Sequence, residues 1–231
     1  MFTIASKLGI ARRMPILVQS YNRIIKEASK RNQTNRRLLQ SIDEKFNKVD
    51  AIARRNGKVS RKDVENIFNE IINEKVSPTA SQNLLLIRCC GSLLIEEPPE
   101  VRSKMAQEIF NTISSSSKLD ISHYNALLQV YLDNEFDFNP LDILTEIQKR
   151  NIEPNRVTYQ RLILRYCQLG DIEGATKVLE FMKLKGFPVN EAVFNSLILG
   201  YGKAGDVQSA YGTLEIMRQC GLEPSSQTYK S

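Results

Sequence analysis

Tyr159, Leu162, Ile163 and Tyr166 stand at i, i+3, i+4 and i+7, which places them on one face of a helix. Ala175, Val178, Leu179 and Met182 repeat that spacing and predict a second helix. Gly170 lies between the two and can stop the first in a left-handed conformation, while Gly186 and Pro188 close the second. The pattern recurs: Tyr124, Tyr159, Phe194 and Tyr229 are each 35 residues apart. Leu127, Leu162 and Leu197 keep the same period, as do Tyr131, Tyr166 and Tyr201, and Leu144, Leu179 and Leu214. Gly170 and Gly205, Ala175 and Ala210, Met182 and Met217, and Gly186 and Gly221 add paired columns. So many columns on one clock mark a stacked-repeat protein. One helical pair buries only part of its apolar surface and its neighbours bury the rest, so the pattern predicts an all-α solenoid. The aromatic and leucine columns are read as packing.

The repeats divide the C-terminal half into 121–155, 156–190 and 191–225, with 226–231 opening a further unit. Upstream the pattern is weaker. Leu39, Ile42, Phe46 and Val49 form a helical stripe ending near Gly57. Ser60 with Asp63 resembles a capped helix start, and Val64, Ile67, Phe68 and Ile71 form the apolar face that follows. Residues 38–79 therefore read as a degenerate helical pair. The next unit, 80–120, has 41 residues, and its excess is assigned to Gly91–Pro99, where Glu96-Glu97-Pro98-Pro99 reads as a loop leading into a helix. Ser114–Ser117 reads as a turn. Because the chain stops just as a unit opens, it is expected to be a piece of a longer array or a truncated product.

The stretch RVTYQRLILRYCQLGDIEGATKVLEFMKLKGFPVN, Arg156–Asn190, resembles the pentatricopeptide repeat, a 35-residue helix-turn-helix. It matches that family's V-T-Y-N-x-L-I opening except for Gln160 in place of Asn, then the turn Gly, the Ala of helix two and most of the M-x-x-x-G-x-x-P-[DN] close. The runs ISHYNALLQVYLDNEF, NIEPNRVTYQRLI and EAVFNSLI carry a closer likeness to a mitochondrial member of the family. The resemblance implies a right-handed superhelix and binding of single-stranded RNA, one unstacked base per unit. It further implies a role in mitochondrial post-transcriptional gene expression: mRNA stabilisation, polyadenylation and translation support. Its implied partners are single-stranded mitochondrial mRNA and a small RNA-recognition-motif protein, in the mitochondrial matrix with the nucleus as a second location.

In that family the base is read by the residue after the repeat aromatic together with the last residue of the unit. Carried onto this chain, the pairs are Asn125 with Asn155, Gln160 with Asn190, and Asn195 with Ser225. An amide offers both donor and acceptor, so it can complement a base edge. Asn and Gln are also common at helix N-termini and in exposed turns, which is the plain alternative. The family's valine two positions before the aromatic, which packs on the base plane, is matched by Val157 but not by Ser122 or Ala192. Asn paired with Asn or Ser leans toward pyrimidines by the family pattern. In 80–120 the corresponding pair is Leu84 and Asp120, and Leu84 cannot hydrogen-bond a base.

Charge changes the picture in one respect. The formal net charge is +6, yet residues 1–37 hold nine of the 32 Lys/Arg and one of the 26 Asp/Glu, leaving 23 bases against 25 acids in the remainder. Bulk basicity of the repeats therefore gives no support for phosphate binding. Arg156, Arg161 and Arg165 share one helix, as a local basic stripe or a solvated face. Residues 1–26 interleave Lys7, Arg12, Arg13, Arg23 and Lys26 with apolar positions and carry no acid, which fits a mitochondrial transit peptide; an ordinary basic arm is the alternative. Residues 1–37 are thus read as transit peptide and basic arm. No apolar run is long enough for membrane insertion.

Catalytic chemistry is not expected. Cys89, Cys90, Cys167 and Cys220 form no C-x-x-C pair, and one histidine, His123, completes no metal site, so buried free thiols are expected. No phosphate loop or nucleophile motif occurs, and no cofactor is implied. Two functions of different class remain: an RNA-binding module, and a helical-repeat scaffold for protein–protein interaction without base readout.

Overall fold

The computed structural model describes residues 10–116, 118–226 and 228–230, and these are helical with no strand among them. Of the amphipathic start read as a transit peptide, residues 1–9 and the side chains of 10–22 lie outside the described residues. The chain divides into two compact units, 1–49 and 50–231. The first consists of most of α1 (Ile10–Asn56), on which Ile42, Phe46 and Val49 are buried and Leu39 is exposed. Among the described residues no helix is long and apolar enough to cross a membrane.

The second unit stacks antiparallel helices in chain order: α2 (Arg61–Glu74), α3 (Ala80–Arg88), α4 (Pro99–Ser116), α5 (Ile121–Asp133), α6 (Pro140–Lys149), α7 (Arg156–Gln168), α8 (Ile172–Leu184), α9 (Glu191–Lys203) and α10 (Val207–Gln219). Helix α7 packs between α5 and α9, while α8 lies on α7 and α10 on α9. The first helix of each repeat thus joins its neighbours in one layer.

Local chemistry fixes the helix limits. At α7 the Asn155 side chain accepts from Thr158 N at 3.1 Å, closing the first turn. At its end Gly170 takes φ 72° and Asp171 N donates to Tyr166 O at 2.9 Å, a Schellman closure. Asp171 then starts α8 by accepting from Gly174 N at 2.8 Å. Lys75, Glu135 and Asn151 occupy comparable left-handed positions without being glycine, at φ 52°, 51° and 55°. These sites store strain of about 1 kcal/mol or more each.

The repeated columns are core. Tyr159 is buried between Phe181 and Phe187, both with ring centroids 5.8 Å away, and Ile163, Cys167, Ala175, Met182 and Val193 are fully enclosed around it. Each such large apolar side chain contributes about 1.5–3 kcal/mol on burial. Tyr124 is held similarly, edge-on to Phe110, with its hydroxyl donating to Glu146 Oε1 at 2.9 Å.

The 80–120 segment departs from the regular pattern. Its first helix widens into a π-turn, Cys89–Leu93, with Gly91 out of helical range at φ −87°, ψ −135°. Asn134 Nδ2 donates to the Cys90 carbonyl and the Ser103 hydroxyl there, both at 3.2 Å. Helix α4 starts at Pro99, and it runs through Ser116. Ser114–Ser116 are therefore helical and not the expected turn, while Ser117 lies outside the described residues; Ser115 Oγ donates to Asn111 O at 3.0 Å, one turn back, which satisfies the hydroxyl within the helix. Cys220 is exposed, against the expectation of four buried thiols, because it caps α10 beyond the core.

Candidate nucleic-acid interface

Helices α5, α7 and α9 present one position of each repeat on a shared surface. Ser122, Asn125 and Gln129 come from α5; Val157, Gln160, Arg161 and Leu164 from α7; Ala192, Asn195 and Leu199 from α9. Two clefts lie between these helices. One of about 430 Å³ contains Asn125, Asn155 and Val157, with Arg88 and Asp133. The other, of about 720 Å³, contains Gln160, Asn190 and Asn195. Gln129, Val157 and Arg161 border both, so the apolar Val157 divides neighbouring chambers.

The structure brings two of the three expected pairs together. Asn125 Nδ2 donates to Asn155 Oδ1 at 3.1 Å, and Gln160 Nε2 to Asn190 Oδ1 at 2.8 Å. The third pair is not joined: Ser225 Oγ donates to Glu191 Oε1 at 2.6 Å and borders neither cleft, while Asn195 Oδ1 is buried with no hydrogen-bond partner among the described residues. The final residues of the units have a second task. Asp120, Asn155 and Asn190 each cap the next helix through a side-chain oxygen. The Asp and Asn of that column are therefore accounted for by capping before any ligand is considered. Leu84 is half-buried and borders neither cleft, whereas Asp120 is held by Ser122 N and by the ring of His123 at 2.8 Å. Burial raises the Asp120 carboxyl, but the His123 ring and then the backbone N–H groups of Ser122 and His123 together outweigh it and draw the carboxyl below its ordinary range. His123 is thus part of a capping box.

The basic stripe of α7 splits by depth. Arg165 is only 5 % exposed; it donates to Asp137 at 2.6 Å and stacks over Phe138 at 5.1 Å, so it is a packing residue and not a solvated one. Arg156 is exposed and borders neither cleft. Arg161 faces both clefts and donates from Nε to Gln129 Oε1 at 3.1 Å. Burial, then the nearby charge of Arg88, hold its guanidinium below the ordinary arginine range, with Asp133 opposing. It stays cationic, so a cleft with one acid has two cations. Sequence reasoning named Arg161 without separating it from its neighbours, and it passed over Arg88 and Gln129. The available signal was register: Arg88 and Gln129 sit four residues beyond Leu84 and Asn125, one turn along the same face.

Comparison with known proteins agrees with this geometry. Residues 150–183 match a PPR repeat model and residues 189–231 a PPR repeat family model. The leucine-rich PPR motif-containing protein, mitochondrial, of Xenopus tropicalis is 46% identical over 151 residues, covering 65% of this chain and 11% of that protein. The chain therefore spans about a tenth of that relative's length. Two solved structures share the fold. The maize pentatricopeptide repeat protein PPR10, solved with an 18-nucleotide psaJ RNA element, superposes with TM-score 0.58 at 22% identity over 72% of this chain and 24% of its own. The pentatricopeptide domain of Arabidopsis thaliana protein-only RNase P 1, solved with tRNA, gives 0.59 at 16% over 84% and 93%. By matched repeats, stacked helical pairs and this similarity, the chain is similar to proteins of the pentatricopeptide repeat family, whose repeat models match residues 150–183 and 189–231.

Proposed function

We propose that the chain binds single-stranded RNA along α5, α7 and α9, and reads bases with Asn125–Asn155, Gln160–Asn190 and Asn195. The observation that carries this is the meeting of two amide pairs at clefts walled by Val157 and faced by Arg161. An apolar wall suits a base plane, amides suit its edge, and a cation suits its phosphate. Two proteins of the same fold were solved with RNA, which supports the reading. The setting proposed is mitochondrial mRNA stabilisation, polyadenylation and translation support, with a small RNA-recognition-motif partner; the mitochondrial naming of the relative supports the compartment. The chain acts as a binding module and not as an enzyme.

The test is fluorescence anisotropy of the full chain with labelled single-stranded and duplex RNA. Single strands are expected to bind more tightly, and Asn125→Ala/Gln160→Ala/Asn195→Ala is expected to lose at least about tenfold, the scale of a base-edge contact. Equal binding by the folded triple variant would reject base reading. A scaffold role has its own observation: the second-helix side carries an apolar cleft of about 540 Å³ lined by Leu141, Leu144, Tyr166 and Phe181. Crosslinking that recovers a polypeptide at Leu141 and no RNA at Val157 would favour it.

A further inference from the structure

The two joined amide pairs are not equivalent, and the difference comes from the residue three places into the following helix. In the first pair that residue is Thr158. Asn155 Oδ1 accepts from the Thr158 backbone N–H at 3.1 Å, so this atom is fixed as an acceptor. The Asn125 atom facing it, 3.1 Å away, must then be the amide nitrogen. Asn125 Oδ1 is thereby turned to the Thr158 hydroxyl, 2.9 Å away, which donates to it. The same hydroxyl lies 3.2 Å from Asn155 Oδ1 and accepts from Asn155 N at 3.2 Å. Asn155 Oδ1 thus accepts from both Thr158 N and Asn125 Nδ2, which uses its two lone pairs, and Asn125 Oδ1, in a residue only 7 % exposed, is turned inward onto the Thr158 hydroxyl. What remains for a ligand is amide N–H: one on Asn125 and two on Asn155.

In the second pair the equivalent residue is Val193, which has no hydroxyl. Its backbone N–H holds Asn190 Oδ1 at 3.4 Å, and Gln160 Nε2 donates to that oxygen at 2.8 Å. Gln160 Oε1 is left without the capture that Asn125 Oδ1 undergoes. This pair offers an acceptor as well as donors.

We infer that Thr158 and Val193 are specificity-determining residues: a hydroxyl at this position makes the preceding amide pair donor-only, and its absence leaves the pair two-sided. This rests on the base-reading proposal above. A donor-only pair is complementary to an edge with adjacent acceptors; on the Watson–Crick side cytosine has that edge, at N3 and O2, whereas the adjacent acceptors of guanine, O6 and N7, lie on its Hoogsteen side. A two-sided pair accepts from the N3–H of uracil while donating to a flanking carbonyl. The 125/155 pair therefore favours cytosine and the 160/190 pair admits uracil, although each joins an amide to Asn. Thr158 acts through Asn125 and is a positioning residue. Fully buried, with 0 % of its surface exposed, it can touch no base itself.

The experiment compares full-length wild type, Thr158→Val, Thr158→Ser and Val193→Thr in competition anisotropy against nine-nucleotide C-only, U-only, A-only and G-only RNA. Thr158→Val should shift the C-to-U affinity ratio toward U and Val193→Thr should shift it toward C, each by about tenfold, the scale of one base-edge contact. Thr158→Ser should keep the wild-type ratio. Uniform weakening on all four RNAs by Thr158→Val, with the ratio unchanged, would mean that the hydroxyl only supports the helix cap and would overturn the inference. If Thr158→Val does not fold, judged by circular dichroism, an unchanged ratio in Val193→Thr overturns it. If wild type binds all four RNAs equally or none, base reading itself has failed, and this inference with it.

Discussion

Arg161 Nε donates to Gln129 Oε1 across 3.1 Å, joining α7 to α5 at the wall between the two clefts. The bond spends one of five guanidinium donors and steadies the cation where it faces both chambers. Arg161→Ala is therefore expected to weaken RNA binding and to lower the slope of log affinity against log salt by about 0.7, the value for one phosphate of a single strand. Arg156→Ala, on the same helix but outside the clefts, serves as the comparison and should change neither. Titrations between low and moderate salt check this; equal slopes for both variants would remove Arg161 from the phosphate contact.

Two glycines on α9 should respond oppositely to the same substitution. A Cβ on Gly202 meets nothing within 4 Å, so Gly202→Ala should gain about 0.5–1 kcal/mol from helix propensity. A Cβ on Gly200 would lie 2.8 Å from Ile172 Cδ1 and 3.0 Å from the Cβ and Sγ of Cys167. Cys167 is fully enclosed and cannot withdraw, so Gly200→Ala should cost about 1–3 kcal/mol despite the same propensity gain. Urea unfolding midpoints of the two variants should fall on opposite sides of wild type.

The thiols give a pH test. Burial pushes Cys89, Cys90 and Cys167 up to about 12, from an ordinary value of 9.0. The fold therefore binds these protons more strongly than the unfolded chain does. Their stabilisation is complete below about pH 9 and is lost as pH climbs toward 12. The melting temperature should fall over that window, and replacing Cys167 by Ala should make the fall shallower. At pH 8 a thiol reagent should modify exposed Cys220 quickly and the other three at the rate of unfolding. Fast labelling of all four would contradict the packing.

Periodicity made the helices legible. Tyr159, Leu162 and Ile163 share a face by spacing, and that face is buried. Spacing gives direction but not what lies opposite, and this is where the arginines separate. Arg161 and Arg165 are four residues apart on α7, yet one meets a cleft and the other meets Asp137 and Phe138 from the loop between α5 and α6. The widening of α3 at Cys89 was legible only as excess length, since a π-turn has no residue signature in CCGSL. The bond from Thr158 to Asn125 spans 33 residues, and nothing in either local pattern announces it. The helix-capping alternative for the unit-final column was visible in its residue types, and at Asn155 and Asn190 the capping bonds are present.

Because Asn155 closes one repeat and starts the next helix with the same oxygen, the array writes in a restricted alphabet. A substitution there must first be able to begin a helix, so the letters open to it are those of short oxygen-bearing side chains, as Asp120, Asn155 and Asn190 already illustrate. On the base-reading proposal, retargeting of these repeats toward new bases would draw from the few helix-capping residues at that place. The freer choices would be made at Asn125, Gln160 and Val193, which carry no such obligation to the helix through their side-chain tips, whereas the Thr158 hydroxyl shares the cap by accepting from Asn155 N.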